Sequence, residues 1–380
     1  MKRALARTAV VLGALLALAT LAATVLAWPA LGHRPDGARR ARMERSPEWK
    51  DGKFHDPQPL VNDAWGSVVA MFHADPHASP DGPLPFVAVD PRRPAPESGL
   101  RVTWFGHSST LVEVDGHRVL TDPIWSERSS PLPFVGPRRW SKPIVPLEQL
   151  RPIDAVVISH DHYDHLDMET IVAMKDWDTV FVVPLGVGAH LAAWGVPEAK
   201  IVELDWWERT RRGDLQIASV PARHASGRSL LDFDTKLWTG YALLGARHRV
   251  YYSGDTGLFP AMKDIGDRLG PFDLAMIEAG QYHQAWPDWH IGPEQALLAY
   301  RLVRGRVLLP VHWGLFTLAL HGWTEPIERV LAAARPGEVV IAPRPGQAVE
   351  PSAPPPLERW WPALPWRSGQ QDPIVSTQLR

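Results

Sequence analysis

The chain of 380 residues contains no cysteine. This absence excludes a disulfide framework and a zinc site built from thiolates. Charge of neither sign dominates, because 40 Lys and Arg residues stand against 42 Asp and Glu residues and leave a net charge of -2. We therefore expect no nucleic-acid partner, since such proteins normally carry a basic surface. No internal repeat is visible in the sequence.

The most informative segment is residues 160–165, which read His-Asp-His-Tyr-Asp-His. They directly follow the apolar run at residues 154–159, which is typical of a buried β-strand. A strand that ends in a ligand-rich turn can aim several side chains at one point. Imidazole nitrogen and carboxylate oxygen are ligands that zinc and similar metals accept. A solvated histidine-rich loop is the simpler alternative, but the several donors at fixed spacing favour an open metal site.

The pattern HxHxDH at residues 160–165 resembles the signature of the metallo-β-lactamase fold hydrolases. The longer string at residues 153–167 resembles the branch of that family that contains N-acylphosphatidylethanolamine-hydrolysing phospholipase D. Further strings resemble the same branch in family order, at residues 104–107, 120–124, 135–139, 203–208, 253–257, 270–275 and 312–314. The resemblance implies an α+β fold of two facing sheets with helices on their outer sides, an αββα sandwich.

The resemblance also implies a set of metal ligands in two groups joined by one carboxylate. The groups are His160, His162 and His224; Asp164, His165 and His312; and the bridging Asp255. The three later donors, His224, Asp255 and His312, each follow an apolar run that reads as a strand. Taken alone, His224 or His312 would be interpreted as an ordinary half-buried histidine. The repeated pattern of a strand followed by a donor favours metal ligands instead. The implied cofactor is two Zn²⁺ ions, with another divalent metal as the alternative.

Two residues are assigned catalytic roles, the metal ligand Asp164 and His290. His290 precedes a helix that Pro293 opens, and it matches the histidine that the resembling phospholipases place near the reactive phosphate. We expect it to donate a hydrogen bond to a phosphoryl oxygen or a proton to the leaving group, with a surface histidine at a helix start as the alternative. Four further side chains are candidates for supporting the ligands, with capping of a strand or helix end as an equal alternative: His107, Asp122, Asp167 and Asp273.

Local patterns predict several elements of the catalytic domain. The pair Asp115-Gly116 lies between apolar segments and predicts a β-hairpin. Five segments predict helices, at residues 168–175, 187–194, 260–269, 293–303 and 326–334, the last capped by Thr324.

The N-terminus carries an uncharged run at residues 8–27 that follows Lys2, Arg3 and Arg7. As a helix rising about 1.5 Å per residue, such a run is long enough for a hydrocarbon core of about 30 Å. We expect a signal anchor at the inner membrane, with the catalytic domain outside the cytoplasm. A signal peptide cleaved after Ala27 is the alternative, and the arginines at residues 34–45 leave the orientation open.

The expected organisation has four segments. They are a signal anchor or signal peptide at residues 1–30, a Pro-rich extension at 31–98, the hydrolase domain at 99–345 and a Pro-rich tail at 346–380. The extension is expected to wrap the domain or to space it from the membrane. The tail is expected to have little core of its own.

The resemblance implies a zinc-dependent phosphodiesterase that hydrolyses N-acylphosphatidylethanolamine-type phospholipids to phosphatidic acid and N-acylethanolamine. Its partners would be a phospholipid substrate and a membrane, and a homodimer is compatible with the sequence. One alternative is a metal-dependent lactonase or a hydrolase of a soluble phosphorylated metabolite. Another is a non-catalytic, membrane-tethered metal-binding protein.

Overall fold

The computed structural model of the chain describes residues 2–377. Its α-helices within that range are α1 (Lys2–Leu31), α2 (Gly37–Met43), α3 (Ala64–Ala70), α4 (Met168–Met174), α5 (Gly188–Ala193), α6 (Ala261–Leu269), α7 (Pro293–Leu302) and α8 (Glu325–Ala333). Short 3-10 turns occur at Met71–His73, Leu147–Leu150 and Glu198–Lys200. The five predicted helices correspond to α4 to α8, with ends that differ by one residue at most.

The β-strands form one small hairpin and two large sheets. In chain order they are β1 (Trp49–Lys50), β2 (Lys53–Phe54), β3 (Leu100–Trp104), β4 (Thr110–Val114), β5 (His117–Thr121), β6 (Ala155–Val157), β7 (Val180–Pro184), β8 (Ile201–Leu204), β9 (Arg209–Arg212), β10 (Leu215–Val220), β11 (Gly240–Leu244), β12 (Arg249–Tyr252), β13 (Leu274–Glu278), β14 (Val307–Val311), β15 (Val339–Val340) and β16 (Ala348–Val349). The first large sheet has the strand order β16-β3-β4-β5-β6-β7-β8, and the second has β15-β14-β13-β12-β11-β10-β9.

The two large sheets pack face to face with the main apolar core between them, where Val157 of β6 and Met276 of β13 are both buried. The outer face of the first sheet packs against α4 and α5, and the outer face of the second packs against α6, α7 and α8. Val156 belongs to the outer cluster while its neighbour Val157 belongs to the inner one, which explains the unbroken apolar run before the ligand turn. The predicted αββα sandwich is confirmed.

The predicted hairpin joins β4 to β5. Asp115 and Gly116 have φ values of 47° and 89°, as a two-residue turn with two left-handed positions requires. The prediction for Thr324 is wrong. It stands at the start of α8, but its side chain makes no capping hydrogen bond. Its backbone is helical, whereas a capping side chain needs an extended backbone to reach back to the first amides.

The extension at residues 31–98 follows the surface of the hydrolase domain. Backbone amides of Phe54, Asp75 and Val87 donate to carbonyl oxygens of Asp234, Leu320 and Pro345 over 2.8, 2.7 and 2.9 Å. The extension therefore wraps the domain, which is the first of the two arrangements expected from the sequence.

The C-terminal tail corrects an expectation, because it contributes to the main core. β16 lies beyond the expected boundary at residue 345 and pairs with β3, so the first sheet includes a strand of the tail. Trp360 and Trp361 are buried and pack against Trp313, with ring centroids 5.7 Å apart in both pairs. Two large aromatic side chains bury enough apolar surface to hold a proline-rich segment in place.

Helix α1 contains an apolar stretch at Val10–Leu31 with a mean hydropathy of 2.5, most of whose side chains are exposed. By length and composition this stretch could cross a membrane, and a signal sequence has the same properties. It begins and ends slightly later than the run at residues 8–27 that the sequence predicts.

Candidate metal centre

The predicted donors lie in loops that follow strands. β6 leads into residues 160–165, and β10, β12 and β14 lead into His224, Asp255 and His312. β12, β13 and β14 run parallel to one another, so their carboxyl ends meet at one edge of the second sheet. The structure brings all seven predicted donors to this edge.

The first donor group is His160, His162 and His224. Nδ1 of His162 lies 2.8 Å from Nε2 of His160 and 3.3 Å from Nε2 of His224. Oδ2 of Asp255 lies 3.8 Å from each of those two Nε2 atoms. Four donor atoms therefore converge here in the predicted combination.

Hydrogen bonds behind the rings decide which nitrogen carries the proton. Nδ1 of His224 donates to the carbonyl of Trp289 over 2.9 Å, and Nδ1 of His160 lies 3.0 Å from the Ser159 hydroxyl. Both rings therefore keep the lone pair of Nε2 for the centre of the site. Burial and the neighbouring imidazoles hold the pKa of His160 well below its usual value, so that this ring is neutral. A neutral imidazole is the form that binds a metal.

The second donor group is Asp164, His165 and His312. Nε2 of His165 lies 3.3 Å from Oδ2 of Asp164 and 3.1 Å from Oδ2 of Asp255. Nδ1 of His312 lies 3.1 Å from the other oxygen of Asp255. The carboxylate of Asp255 thus faces both groups, which is the position predicted for a bridging ligand.

Two of the four supporting candidates lie at the site. Nε2 of His107 is 3.0 Å from Oδ2 of Asp164. Asp122 is fully buried and accepts hydrogen bonds from Nδ1 of His165 over 2.6 Å and from the amide and hydroxyl of Ser159 over 2.7 and 2.5 Å. Asp122 therefore aims the ring of His165 at Asp255, the arrangement that normally orients a metal-binding histidine.

The other two candidates have structural roles away from the donor groups. Asp167 accepts hydrogen bonds from the amides of Trp125 and Glu169 over 3.1 Å each, the second of which caps α4. Asp273 accepts from the amide of Arg249 over 2.9 Å and pairs with Arg306 at 2.7 Å. The capping alternative holds for both.

His290 lies beside the donor groups and pairs with a residue that sequence reasoning missed. Its Nδ1 is 2.8 Å from Oε2 of Glu278 and 3.9 Å from Oδ2 of Asp255, and its ring stacks on His312. Glu278 is fully buried at the end of β13, and its Oε1 accepts from the amides of Thr256 and Ile291. Its place directly after an apolar run is the same signal that singled out Asp255.

Burial acts in opposite directions on this pair, because it disfavours the charged form of each group. It raises the pKa of Glu278 well above its usual value and lowers the pKa of His290. Both shifts favour a pair of neutral groups. In such a pair Glu278 carries a proton that it donates to Nδ1, and Nε2 of His290 carries the proton of the ring.

The donor set fits divalent cations. Among residues 2–377, the buried atoms Nε2 of His165 and Oδ1 of Asp255 have no hydrogen-bond partner. Burial raises the pKa of Asp255 to about 7, although His165 opposes this. Burial lowers the pKa of His165, but the carboxylates of Asp255 and Asp164 raise it overall, so that a proton on this ring balances their charge. A cation between these lone pairs would satisfy the same atoms and the same charge.

The donors are reached from a cavity of about 310 Å³. Its lining includes five donor or catalytic residues, and its wall is completed by Asn62, Gln281, Trp286, Trp289 and Leu318. The side chains of Asp164 and His290 are 15% and 16% exposed. A site that is reached from solvent suits catalysis, since a purely structural metal is usually closed off by its ligands.

Comparison with known proteins identifies the family. The model of the family described as Beta-lactamase superfamily domain matches residues 117–313. This chain belongs to that family and is a metal-dependent hydrolase of the metallo-β-lactamase superfamily, which agrees with the donor set described above. The resemblance inferred from the motifs is confirmed.

Two individual relatives and one solved structure show which proteins this chain is similar to. An uncharacterised protein of Mycobacterium tuberculosis is 48% identical over 85% of this chain and 89% of its own length. N-acyl-phosphatidylethanolamine-hydrolyzing phospholipase D 1 of Caenorhabditis elegans is 38% identical over 58% of this chain and 66% of its own length. Among solved structures, the metallo hydrolase Igni18 of Ignicoccus hospitalis is 27% identical with a TM-score of 0.50, over 66% of this chain and 97% of that one.

Proposed function

We propose that this hydrolase is a dinuclear zinc phosphodiesterase that converts N-acylphosphatidylethanolamine-type phospholipids to phosphatidic acid and N-acylethanolamine. The observation that carries the proposal is the pair of donor groups that share Asp255, with His290 in the cavity wall beside them. The activity named for the Caenorhabditis elegans relative supports the choice of substrate.

The two donor groups would each hold one ion, with Asp255 between them. Two such ions, when bound, supply an acidified water and stabilise charge on the attacking and leaving oxygens of a phosphodiester. The protein holds the ligands in the tautomers that this chemistry needs. Trp289 and Ser159 do so for His224 and His160, and Asp122 does so for His165.

His290 and Glu278 provide a proton beside the donor groups. In the neutral pair, Nε2 of His290 carries a hydrogen that can bond to a phosphoryl oxygen. The same hydrogen can pass to the departing alcohol oxygen of the N-acylethanolamine, while Nδ1 takes the proton of Glu278 and leaves a carboxylate. The pair would thus deliver one proton in each turnover and regain it from water.

Exposed apolar side chains near the cavity support a lipid substrate. Trp289 of the cavity wall contacts Phe233, whose loop carries Leu230 and Leu231 at 93% and 80% exposure. Helix α3, which begins two residues after Asn62 of the cavity wall, exposes Trp65. Such side chains are suited to the boundary between headgroups and acyl chains.

The segment that follows α1 lies against the same loop, since Arg34 donates to the carbonyl of Leu231 over 3.4 Å. We therefore propose an enzyme that α1 anchors in the inner membrane, with the catalytic domain outside the cytoplasm and the cavity near the lipid surface.

The test is a substrate panel for the full-length protein in detergent. The panel contains N-acylphosphatidylethanolamine, phosphatidylethanolamine, phosphatidylcholine, acyl lactones and phosphorylated sugars, and products are identified by mass. We expect phosphatidic acid and N-acylethanolamine from the first lipid, and none with the Asp255→Ala variant. Opening of lactones without cleavage of any phosphodiester would refute the proposal and support the lactonase alternative.

A further inference from the structure

The segment that leaves α1 is joined to the loop that carries the first ligands. We call residues 28–36 the exit segment and residues 159–166 the metal loop. Nε1 of Trp194 donates to the carbonyl of Pro29 and Nε of Arg228 donates to the carbonyl of Ala30, both over 2.7 Å. Ala30 is buried, whereas most of α1 before it is exposed. The exit segment, whose first four residues are the last turn of α1, is therefore packed into the domain at the end of the apolar stretch.

Arg228 connects the exit segment to the metal loop. Its Nη1 donates to the carbonyl oxygens of Asp161 and Leu166 over 2.7 and 2.9 Å, while its Nε holds Ala30. Its guanidinium lies over the ring of Tyr163, 4.0 Å from the ring centre, and the residue is only 4% exposed. The buried guanidinium of Arg228 thus binds the metal loop near both of its ends and also binds the exit segment.

His190 makes a second connection. It is fully buried, its Nδ1 accepts from the amide of His33 over 2.8 Å, and its Nε2 donates to Oδ2 of Asp161 over 3.2 Å. A backbone amide can only donate, so His33 determines which nitrogen of His190 carries the proton. The other oxygen of Asp161 accepts from the amide of Gly227 over 2.7 Å. Asp161 stands between the ligands His160 and His162, so its position sets theirs.

We infer that the exit segment is a positioning element of the metal site, which acts on His160 and His162 through Arg228, His190 and Asp161. If the segment moves away, Nε of Arg228 and Nδ1 of His190 lose their partners in a buried environment, which is strongly unfavourable. These side chains then turn to other partners and release Asp161. The metal loop then loses its geometry, although every metal-binding residue is still present.

The positions of these contacts matter for processing of the N-terminus. All of these contacts begin at Pro29, so cleavage after Ala27 would leave them intact. Anchoring and metal positioning are thus separate functions of adjacent segments, and a protein shortened beyond His33 would lose the second function.

Two glycines of the N-terminal region allow a matched test in the full-length chain. Gly32 and Gly37 both have positive φ, 75° and 47°. A Cβ on Gly32 would lie 1.8 Å from Nδ1 of His190, whereas a Cβ on Gly37 would meet nothing within 4 Å. Gly32→Ala must therefore separate the exit segment from His190, while Gly37→Ala introduces similar backbone strain without that clash.

The measurements are hydrogen exchange of the metal loop in metal-free protein and zinc affinity by competition with a chelator. For Gly32→Ala we expect faster exchange at residues 159–166 and roughly tenfold or more weaker zinc binding, the usual effect of removing a support behind a ligand. Gly37→Ala should match the wild type in both measurements. Equal values for Gly32→Ala and Gly37→Ala would overturn the inference, whatever substrate the enzyme uses.

Arg228→Ala provides an independent measurement should Gly32→Ala fail to fold. We expect weakened zinc binding that millimolar guanidinium ion restores, because the added ion can occupy the place between Ala30, Asp161 and Leu166. Sodium at the same concentration should restore nothing. Zinc affinity that is unchanged by Arg228→Ala, or a loss that guanidinium leaves uncorrected, would contradict the role of Arg228.

Discussion

His312 donates its backbone N–H to the carbonyl oxygen of His107 over 2.9 Å, and their imidazole rings lie 4.2 Å apart. His107 belongs to the turn between β3 and β4 of the first sheet, and His312 follows β14 of the second. Both residues have positive φ, 53° and 66°, a backbone conformation that residues other than glycine rarely adopt. The site is thus closed by a direct contact between the two sheets, with local backbone strain of the kind that functional sites tolerate.

Asp255 is predicted to join two metal ions. Elemental analysis of the active protein should find close to two divalent ions per chain, and Asp255→Ala should lose metal and most activity because the bridge is gone. Asp273→Asn is the matched control, since this carboxylate also adjoins a strand but contacts Arg249 and Arg306 instead. One ion or none in fully active wild-type protein would rule out the dinuclear arrangement.

Asp122 is predicted to determine metal affinity at the second donor group. Asp122→Asn replaces an acceptor of His165 and Ser159 with a group that can accept at one atom only. We expect affinity for one of the two ions to fall by roughly 10- to 100-fold. Asp167→Asn should leave metal affinity unchanged, because Asp167 holds the amides of Trp125 and Glu169. Equal titrations with a chelator for both variants would contradict this role.

His290 is predicted to act on the substrate and not on the metals. His290→Ala should keep its full metal content and lower kcat for a phosphodiester by roughly 10² or more, as expected when one proton or oxyanion donor is removed. The measurement is turnover at known metal content. Undiminished turnover in a fully metallated variant would exclude the role.

Glu278 is predicted to produce the alkaline limb of the pH profile. Burial raises the pKa of Glu278, so its proton is present below that raised pKa and is lost as the pH rises through it. kcat should therefore fall on the alkaline side. Glu278→Gln keeps a hydrogen-bond donor to Nδ1 of His290 at every pH but cannot pass on a proton. Its kcat should therefore be lower than that of the wild type but should not show this alkaline fall. An identical alkaline limb in both proteins would assign that limb to another group.

The apolar stretch of α1 is predicted to anchor the protein. Its length of 22 residues and its exposure suit a bilayer, so the full-length protein should fractionate with membranes. A protein that begins at Trp28 should be released into the soluble fraction with its metals retained. N-terminal sequencing that finds Trp28 as the first residue of the native protein would replace the anchor by a cleaved signal.

The sequence by itself determined those features that depend only on residues close together in the chain. The turn pair Asp115-Gly116 encodes its hairpin by conformational preference, and the HxHxDH spacing places several donors in one turn by covalent connection. The strand pattern before His224, Asp255 and His312 predicted their common edge, because strands that end in polar residues meet at a sheet edge.

Tertiary structure alone decided which distant side chains support those donors. Asp122, Asp167 and Asp273 shared one sequence signal, an acid near the end of a strand, yet only Asp122 contacts a ligand, since packing of the two sheets determines which loops meet. The contacts of Arg228 with Ala30 and of Trp360 with Trp313 join residues more than forty positions apart. No local preference encodes such pairs. They form because burial of aromatic surface and satisfaction of buried donors are properties of the whole folded chain.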